Sequence, residues 1–167
     1  MARMKPLPSI GSLAAVLFLA VACGSAESSA STSPASSPSG EHMMHHAAVD
    51  VASSKYGQIL VDGQGKALYL FGADKTATPT CYDACATVWP PFLADKGATV
   101  DAMHAATASL TGTTTRKDGS VQVTYNGHPL YYYSADKNPG DVLCQGAVDH
   151  GGAWYVVDPQ GNAITKT

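Results

Sequence analysis

Two stretches of this chain carry nearly the same pattern, Leu68-Tyr69-Leu70-Phe71-Gly72-Ala73-Asp74-Lys75 and Leu130-Tyr131-Tyr132-Tyr133-Ser134-Ala135-Asp136-Lys137. An internal repeat restricts the fold, because both copies must form the same supersecondary unit and bury their apolar sides together. In an extended strand, residues two apart share a face. Tyr69 with Phe71, and Tyr131 with Tyr133, therefore each place two rings on one side of a sheet, and Tyr132 faces the opposite side as a candidate exposed ring. Asp74 and Asp136 fall just past the strand ends, where a carboxylate accepts hydrogen bonds from turn amides or pairs with Lys75 or Lys137. Equivalent positions in a repeat predict equivalent structural roles for the two aspartates, in contrast to a glycosidase-like pair, whose carboxyls must be held at a set separation.

The surrounding sequence reads as hairpins. Gln58 to Val61, the turn Asp62-Gly63-Gln64-Gly65 and Ala67 to Phe71 form the first. Gln122 to Tyr125 and Pro129 to Tyr133 form the second, joined by Asn126-Gly127, a pair suited to the positive φ angles of a type I′ turn. A short third unit, Trp154 to Val157 and Ala163 to Thr165 around Asp158-Pro159-Gln160-Gly161, closes the chain. Cys81 to Phe92 suits a short helix stopped by Pro90-Pro91, with Trp89 anchoring it to the sheet. Asp101 to Leu110 reads as a second helical turn or two, and Leu110 to Arg116 pairs with Ser120 to Tyr125 around Asp118-Gly119. The expected fold is mainly β: two related hairpin units and a short terminal hairpin in one small domain over residues 55–167, with one or two short helices inserted.

Upstream, the chain carries an address. Arg3 and Lys5 precede an apolar run from Ile10 to Ala22, too short for the ~20 residues that span a bilayer. Residues 1–22 read as a signal peptide. Leu19-Ala20-Val21-Ala22-Cys23 resembles a lipobox, which implies acylation of the Cys23 thiol, cleavage before it, and a protein tethered to the extracytoplasmic face of the cell membrane. The competing reading is ordinary secretion with cleavage after Ala20-Val21-Ala22 and a free thiol at Cys23. Residues 23–54 form the tether, rich in Ser, Ala, Thr and Pro up to Gly40 and unable to bury a core. At its end Glu41-His42-Met43-Met44-His45-His46 gathers three imidazoles and two thioethers, ligand types that suit copper; the plainer reading is a polar linker.

The Tyr-x-aromatic-x-x-Asp segments, the Cys81/Cys85 pair followed by Trp89-Pro90-Pro91, and Val123-Thr124-Tyr125-Asn126-Gly127-His128-Pro129-Leu130-Tyr131 resemble a known family. It is the set of secreted or lipid-anchored bacterial repeat proteins named for the Tyr-x-(Phe/Trp/Tyr)-x-x-Asp motif, and the likeness spans nearly all of residues 56–167. No enzymatic activity is established for that family. Outside the cytoplasm disulfides persist, and Cys81, Cys85 and Cys144 cannot all pair. A long closure to Cys144 is favoured over a local one by roughly 2 kcal/mol of chain entropy. The resemblance instead implies Cys81 with Cys85 and leaves Cys144 as a departure from the family pattern.

The acidic balance, 13 Asp and Glu against 10 Lys and Arg, falls further when Arg3 and Lys5 leave with the signal, and no basic stripe offers itself to phosphates. A nucleic-acid partner is excluded on that ground. His104, His128 and His150 are scattered, and no Ser-His-Asp arrangement, phosphate-cradling loop or zinc-protease helix is present. Three readings follow: a noncatalytic envelope module binding a protein, glycan or small molecule; a copper-binding or electron-transfer protein using His42, Met43, Met44, His45 and His46; and an enzyme of another kind.

Overall fold

The computed structural model describes residues 46–166. Cys23, the signal peptide, and His42, Met43, Met44 and His45 lie outside the described residues. Among the described residues no helix is long and apolar enough to cross a membrane.

The fold is mainly β. The elements are β1 (Ala48–Ser54), β2 (Gly57–Asp62), β3 (Tyr69–Phe71), α1 (Ala84–Val88), β4 (Leu93–Ala94) and β5 (Asp101–Ala102), then a 3-10 turn at Ala108–Leu110. After it come β6 (Thr111–Thr115), β7 (Val121–Tyr125), β8 (His128–Tyr131), β9 (Val148–Asp149) and β10 (Gly152–Val156). A small sheet runs β2-β1-β5, and a larger one runs β4-β7-β8-β3-β10-β9 with β6 on the far edge of β7. The three expected hairpins are present. Asp62 N–H donates to Lys66 O across the first turn at 2.9 Å. Asn126 and Gly127 take φ of 48° and 77° in the second, as its type I′ connection requires. Asp158 N–H donates to Asn162 O in the third, also at 2.9 Å.

Each repeat strand lies beside the other: β3 pairs antiparallel with β8, Tyr69 opposite Tyr131 and Leu70 opposite Leu130. Alternate side chains then feed two cores. Tyr69, Phe71 and Tyr131 join Trp89, Trp154, Cys81 and Cys85 on one face. Leu68, Leu70 and Leu130 join Phe92, Val123, Tyr125 and Val157 on the other. With both faces covered, all three residues of β3 are buried, which is why its sequence is continuously apolar and aromatic.

Two expectations are corrected. The sheet begins well before Lys55, inside the stretch read as tether: β1 pairs with β2 from Val49 opposite Asp62 to Ser54 opposite Gly57. Its small Ala and Ser residues resemble linker composition, but Val49 is fully buried and β2 supplies a complete hydrogen-bonding partner. The region Asp101 to Leu110 is not helical apart from its 3-10 end. Asp101 and Met103 N–H groups donate to Ala47 O and Val49 O at 2.9 and 2.8 Å, forming a parallel edge on β1. An open sheet edge satisfies the backbone here better than one or two isolated helical turns, which do not persist alone.

Candidate functional site

The spacing of the motif acquires a physical meaning at the β3–β8 pair. Past each strand end the chain turns and brings its aspartate back against the tyrosine of the other repeat. Tyr69 Oη donates to Asp136 Oδ2 at 2.6 Å, and Tyr131 Oη donates to Asp74 Oδ2 at 2.7 Å. All four residues are buried. The remaining carboxylate oxygens accept loop donors. Asp74 Oδ1 takes Thr80 N–H at 2.8 Å and the Thr80 hydroxyl at 2.5 Å, whereas Asp136 Oδ1 takes Leu143 N–H at 3.0 Å. The aspartates thus bind backbone amides, as expected, and also join the two repeats. They do not pair with the following lysines: Lys75 Nζ donates to Gly72 O.

Burial raises both phenols above their ordinary value of 10.0, and the adjoining carboxylates raise them further. Burial likewise pushes Asp136 up from 3.8, partly opposed by the proton donated from Tyr69.

The two-fold relation extends beyond the motif. Gly72 N–H donates to Ala153 O, and Ser134 N–H donates to Val88 O, so Trp154 and Trp89 follow in equivalent places. Their indoles stack with ring centroids 4.0 Å apart and planes 2° from parallel. Phe71 stacks on Trp154 at 4.1 Å and Tyr133 tilts against Trp89 at 4.8 Å, continuing the row at both ends. Tyr69 meets Trp89 edge-on at 5.4 Å, and Tyr131 meets Trp154 edge-on at 5.2 Å. Such contacts contribute on the order of 1 kcal/mol each beyond their buried area. Trp89 Nε1–H donates to Asp149 Oδ2 and Trp154 Nε1–H to Asp149 O, at 3.1 and 3.2 Å.

Cys81 and Cys85 form a disulfide that ties the turn before α1 to its second residue, with Cα atoms 5.3 Å apart. Cys144 is a free, half-buried thiol. It follows Leu143 as Cys81 follows Thr80, so it is the counterpart of Cys81 in a repeat that lacks a second cysteine. It packs against the aromatic core, and its sulfur beside the Tyr133 hydroxyl raises that phenol.

Tyr132 does face away from Tyr131 and Tyr133, but it is not an open ring. It is half-buried in the second core, edge-on to Phe92 at 5.4 Å, with its hydroxyl donating to Asp62 Oδ2 at 2.9 Å. Phe92 covers one side of it, Lys66 Nζ lies 5.2 Å from the ring centre, and Tyr132 N–H donates to Pro90 O at 2.8 Å. Beside it lies a shallow cavity of about 180 Å³ whose lining includes His46, Asp62, Gln64 and Phe92. Among the described residues no group of three or more His, Cys, Asp or Glu is placed to hold a metal ion. His104 and His150 lie in turns and each contacts an aspartate, Asp50 and Asp149 respectively, at 2.9 Å.

Sequence reasoning missed one buried polar group. Arg116 donates to Gln122 Oε1 at 2.5 Å and to Cys81 O at 2.7 Å, and its guanidinium lies 4.3 Å from the Tyr82 ring centre. Gln122 Nε2–H in turn donates to Leu130 O at 2.8 Å. This chain ties the disulfide turn to β7 and β8. A lone Arg beside a turn carries no pattern that would announce it.

Removing one partner of a buried, charge-assisted hydrogen bond should cost about 2 kcal/mol. Tyr69→Phe and Asp136→Asn should therefore each lower the urea midpoint, and a double-mutant cycle should return a coupling of about 1–2 kcal/mol. Tyr69 with Asp74, within one motif, should couple far less; equal coupling within and between motifs would rule out the crossed arrangement.

The phenols give a second prediction. A phenol whose folded pKa is raised contributes stability that is complete below the unfolded value of 10.0 and is lost as pH rises beyond it. In an alkaline titration Tyr69 and Tyr131 should ionise only together with cooperative unfolding, and Tyr131→Phe should remove one phenol from that step. Ionisation of all 8 tyrosines with circular dichroism unchanged would contradict this.

Comparison with sequence families finds a profile described as a secreted repeat of unknown function, matching residues 50–93 and 112–158, one match for each half of the two-fold arrangement. Curated proteins and solved structures yield no match. The two matches together cover more than half of the chain and contain both Tyr–Asp motifs, so the protein belongs to this family of secreted repeats and has an extracellular or envelope location.

Proposed function

We propose that the protein is a noncatalytic envelope module, held to the outer face of a membrane by a lipid on Cys23 and presenting its repeat body to a protein, glycan or small-molecule partner. The observation that carries this reading is the crossed pairing of Tyr69 with Asp136 and Tyr131 with Asp74. The paired tyrosine hydroxyls and one oxygen of each aspartate are spent on joining the two halves, and the other aspartate oxygens on holding the loops, which suits a scaffold rather than a reaction centre. The binding surface then lies in the loops, not in the motif rings, which are buried or half-buried. Leu143 and Val148, 66% and 80% exposed, are the most open large apolar side chains described and favour the segment between Asp141 and Asp149.

Mass spectrometry of the native N-terminal peptide should find a diacylglyceryl thioether on Cys23, and Cys23→Ser should shed the body into the medium. An unmodified thiol at Cys23 in the mature product would remove the anchor. Folded Asp74→Asn and Asp136→Asn forms should restore the function of a deletion strain at permissive temperature; a folded variant that fails would place chemistry at the motif.

A second reading, copper binding by His42, Met43, Met44, His45 and His46, draws support from the position of His46, which lines the cavity that also holds the Asp62 carboxylate. Untagged protein should retain copper and lose it when residues 41–46 are deleted. Metal-free protein with no measurable affinity in a copper titration would end this reading.

A further inference from the structure

Arg116 leaves one polar group unspent. Its side chain is 2% exposed, its terminal nitrogens hold Gln122 Oε1 and Cys81 O, and its Nε–H reaches no acceptor among the described residues. A buried donor without an acceptor is costly, and a charged one more so. Asp118 Oδ2 stands 3.9 Å from Nε, too far for a hydrogen bond. The other oxygen of Asp118 takes the hydroxyl and the N–H of Ser120, which hold the carboxyl below its usual range and keep it ionised at neutral pH. Arg116 and Asp118 line an open cavity of about 430 Å³ together with Tyr82, Asp83, Ala86 and Lys117. That volume falls within the range of small-molecule sites, roughly 300–1,000 Å³. Asp83 stands at the start of α1 with φ 50°, yet its carboxylate makes no capping hydrogen bond there. The Lys117 ammonium and the Arg116 guanidinium lie 5.0 and 4.3 Å from the centre of the Tyr82 ring. The walls thus carry two cationic donors and two carboxylates, with Arg116 fixed from behind by Gln122 and by the disulfide turn.

We propose that this cavity binds one sugar ring of an uncharged glycan, with one hydroxyl bridging Arg116 Nε–H and Asp118 Oδ2 and a neighbouring hydroxyl bridging Lys117 Nζ and Asp83. As a glycan contact the cavity rests on the reading of the protein as a binding module, and it lies outside the Asp141–Asp149 segment.

A hydroxyl is both donor and acceptor, so a single oxygen accepts from a cationic N–H and gives its own proton to a carboxylate. The 3.9 Å between Nε and Oδ2 excludes a direct bond but admits one such oxygen at ordinary distance from both. Nε is shielded from water in the free protein, and the hydroxyl enters by rotation of the Asp118 side chain, which is 61% exposed. A phosphate or a carboxylate ligand would gain two cations but meet two carboxylates, and an apolar ligand would leave all four groups unpaired. Stacking of Arg116 on Tyr82 accounts for the position of the ring, yet it gives neither Nε nor Asp83 a partner. Water can fill one bridge; two hydroxyls on adjacent carbons of one ring fill both at once.

Calorimetric titration and saturation-transfer NMR of the untagged mature chain with trisaccharides of glucose, mannose, galactose and N-acetylglucosamine test this. At least one should bind, and a deoxy analogue lacking either of the two bridging hydroxyls should bind severalfold more weakly. Asp118→Asn keeps the Ser120 bonds and replaces the free acceptor with a donor; Asp83→Asn does the same at a residue whose positive φ asparagine tolerates. Each should weaken binding severalfold while leaving the melting temperature near that of the wild type, and Leu143→Ala should leave binding unchanged. No binding of any of the four sugars, wild-type affinity in both Asp variants, or tighter binding of inorganic phosphate or glucuronate than of every neutral sugar would overturn the site. Sugar binding that survives in the Asp variants and is lost in Leu143→Ala would overturn this cavity and leave the binding-module reading standing. Failure of that reading shows separately, in complementation by the folded Asp74→Asn and Asp136→Asn forms, whose substituted residues do not line the cavity.

Discussion

A buried carboxylate accepting a phenolic proton from the opposite half of the molecule is the constraint around which this fold is arranged. Asp74 and Asp136 are 3% and 2% exposed, and burying either without a partner would be costly. The partner is available only when β3 and β8 lie antiparallel with Tyr69 opposite Tyr131. A slip of one residue would turn both tyrosines to the other face and strand both aspartates. The pairing therefore discriminates among registers more sharply than the apolar side chains, since Leu68, Leu70, Tyr69 and Phe71 would find a core on either side.

The same two-fold relation explains why the repeats have diverged so unevenly without losing their common part. Trp89 and Trp154 occupy equivalent places and meet in the middle, so each half supplies one ring of a shared stack. What leads up to them is not shared. In the first repeat the approach is α1, clipped by the Cys81–Cys85 disulfide and tied down through Arg116 to Cys81 O. In the second it is an irregular loop ending in the two-residue strand β9.

Much of this architecture was legible in residues. The repeat, the three hairpins, the Asn126-Gly127 turn and the alternation of Tyr131, Tyr132 and Tyr133 all depend on local patterns, and local patterns are what a sequence displays. The crossed Tyr–Asp pairing was not legible, because it depends on which strands become neighbours. An aspartate at a strand end looks the same whether it caps its own turn or reaches across a sheet. Similarly, β1 was hidden by its composition: Ala and Ser are common in linkers, and only the adjacent β2 makes a strand of them. Tyr132 faced the expected way but toward a second core contributed by Phe92 and its neighbours, a layer that no short-range pattern reveals.

The symmetry is broken at one point that bears on how the protein opens. Asp74 receives both the amide and the hydroxyl of Thr80, whereas the equivalent Leu143 has no hydroxyl to give and offers Asp136 its amide alone. Burial pushes the Asp136 carboxyl up from its ordinary range, with the hydrogen bonds from Tyr69 and Leu143 opposing it. Leu143 instead turns a 66%-exposed side chain to solvent, and the residue after it is the one cysteine of the body without a disulfide. Fewer bonds to the carboxylate, no covalent clip and little apolar burial at the loop all act in the same direction. These differences make the second half the one expected to loosen first, with the half-buried Cys144 thiol on the loop that would open.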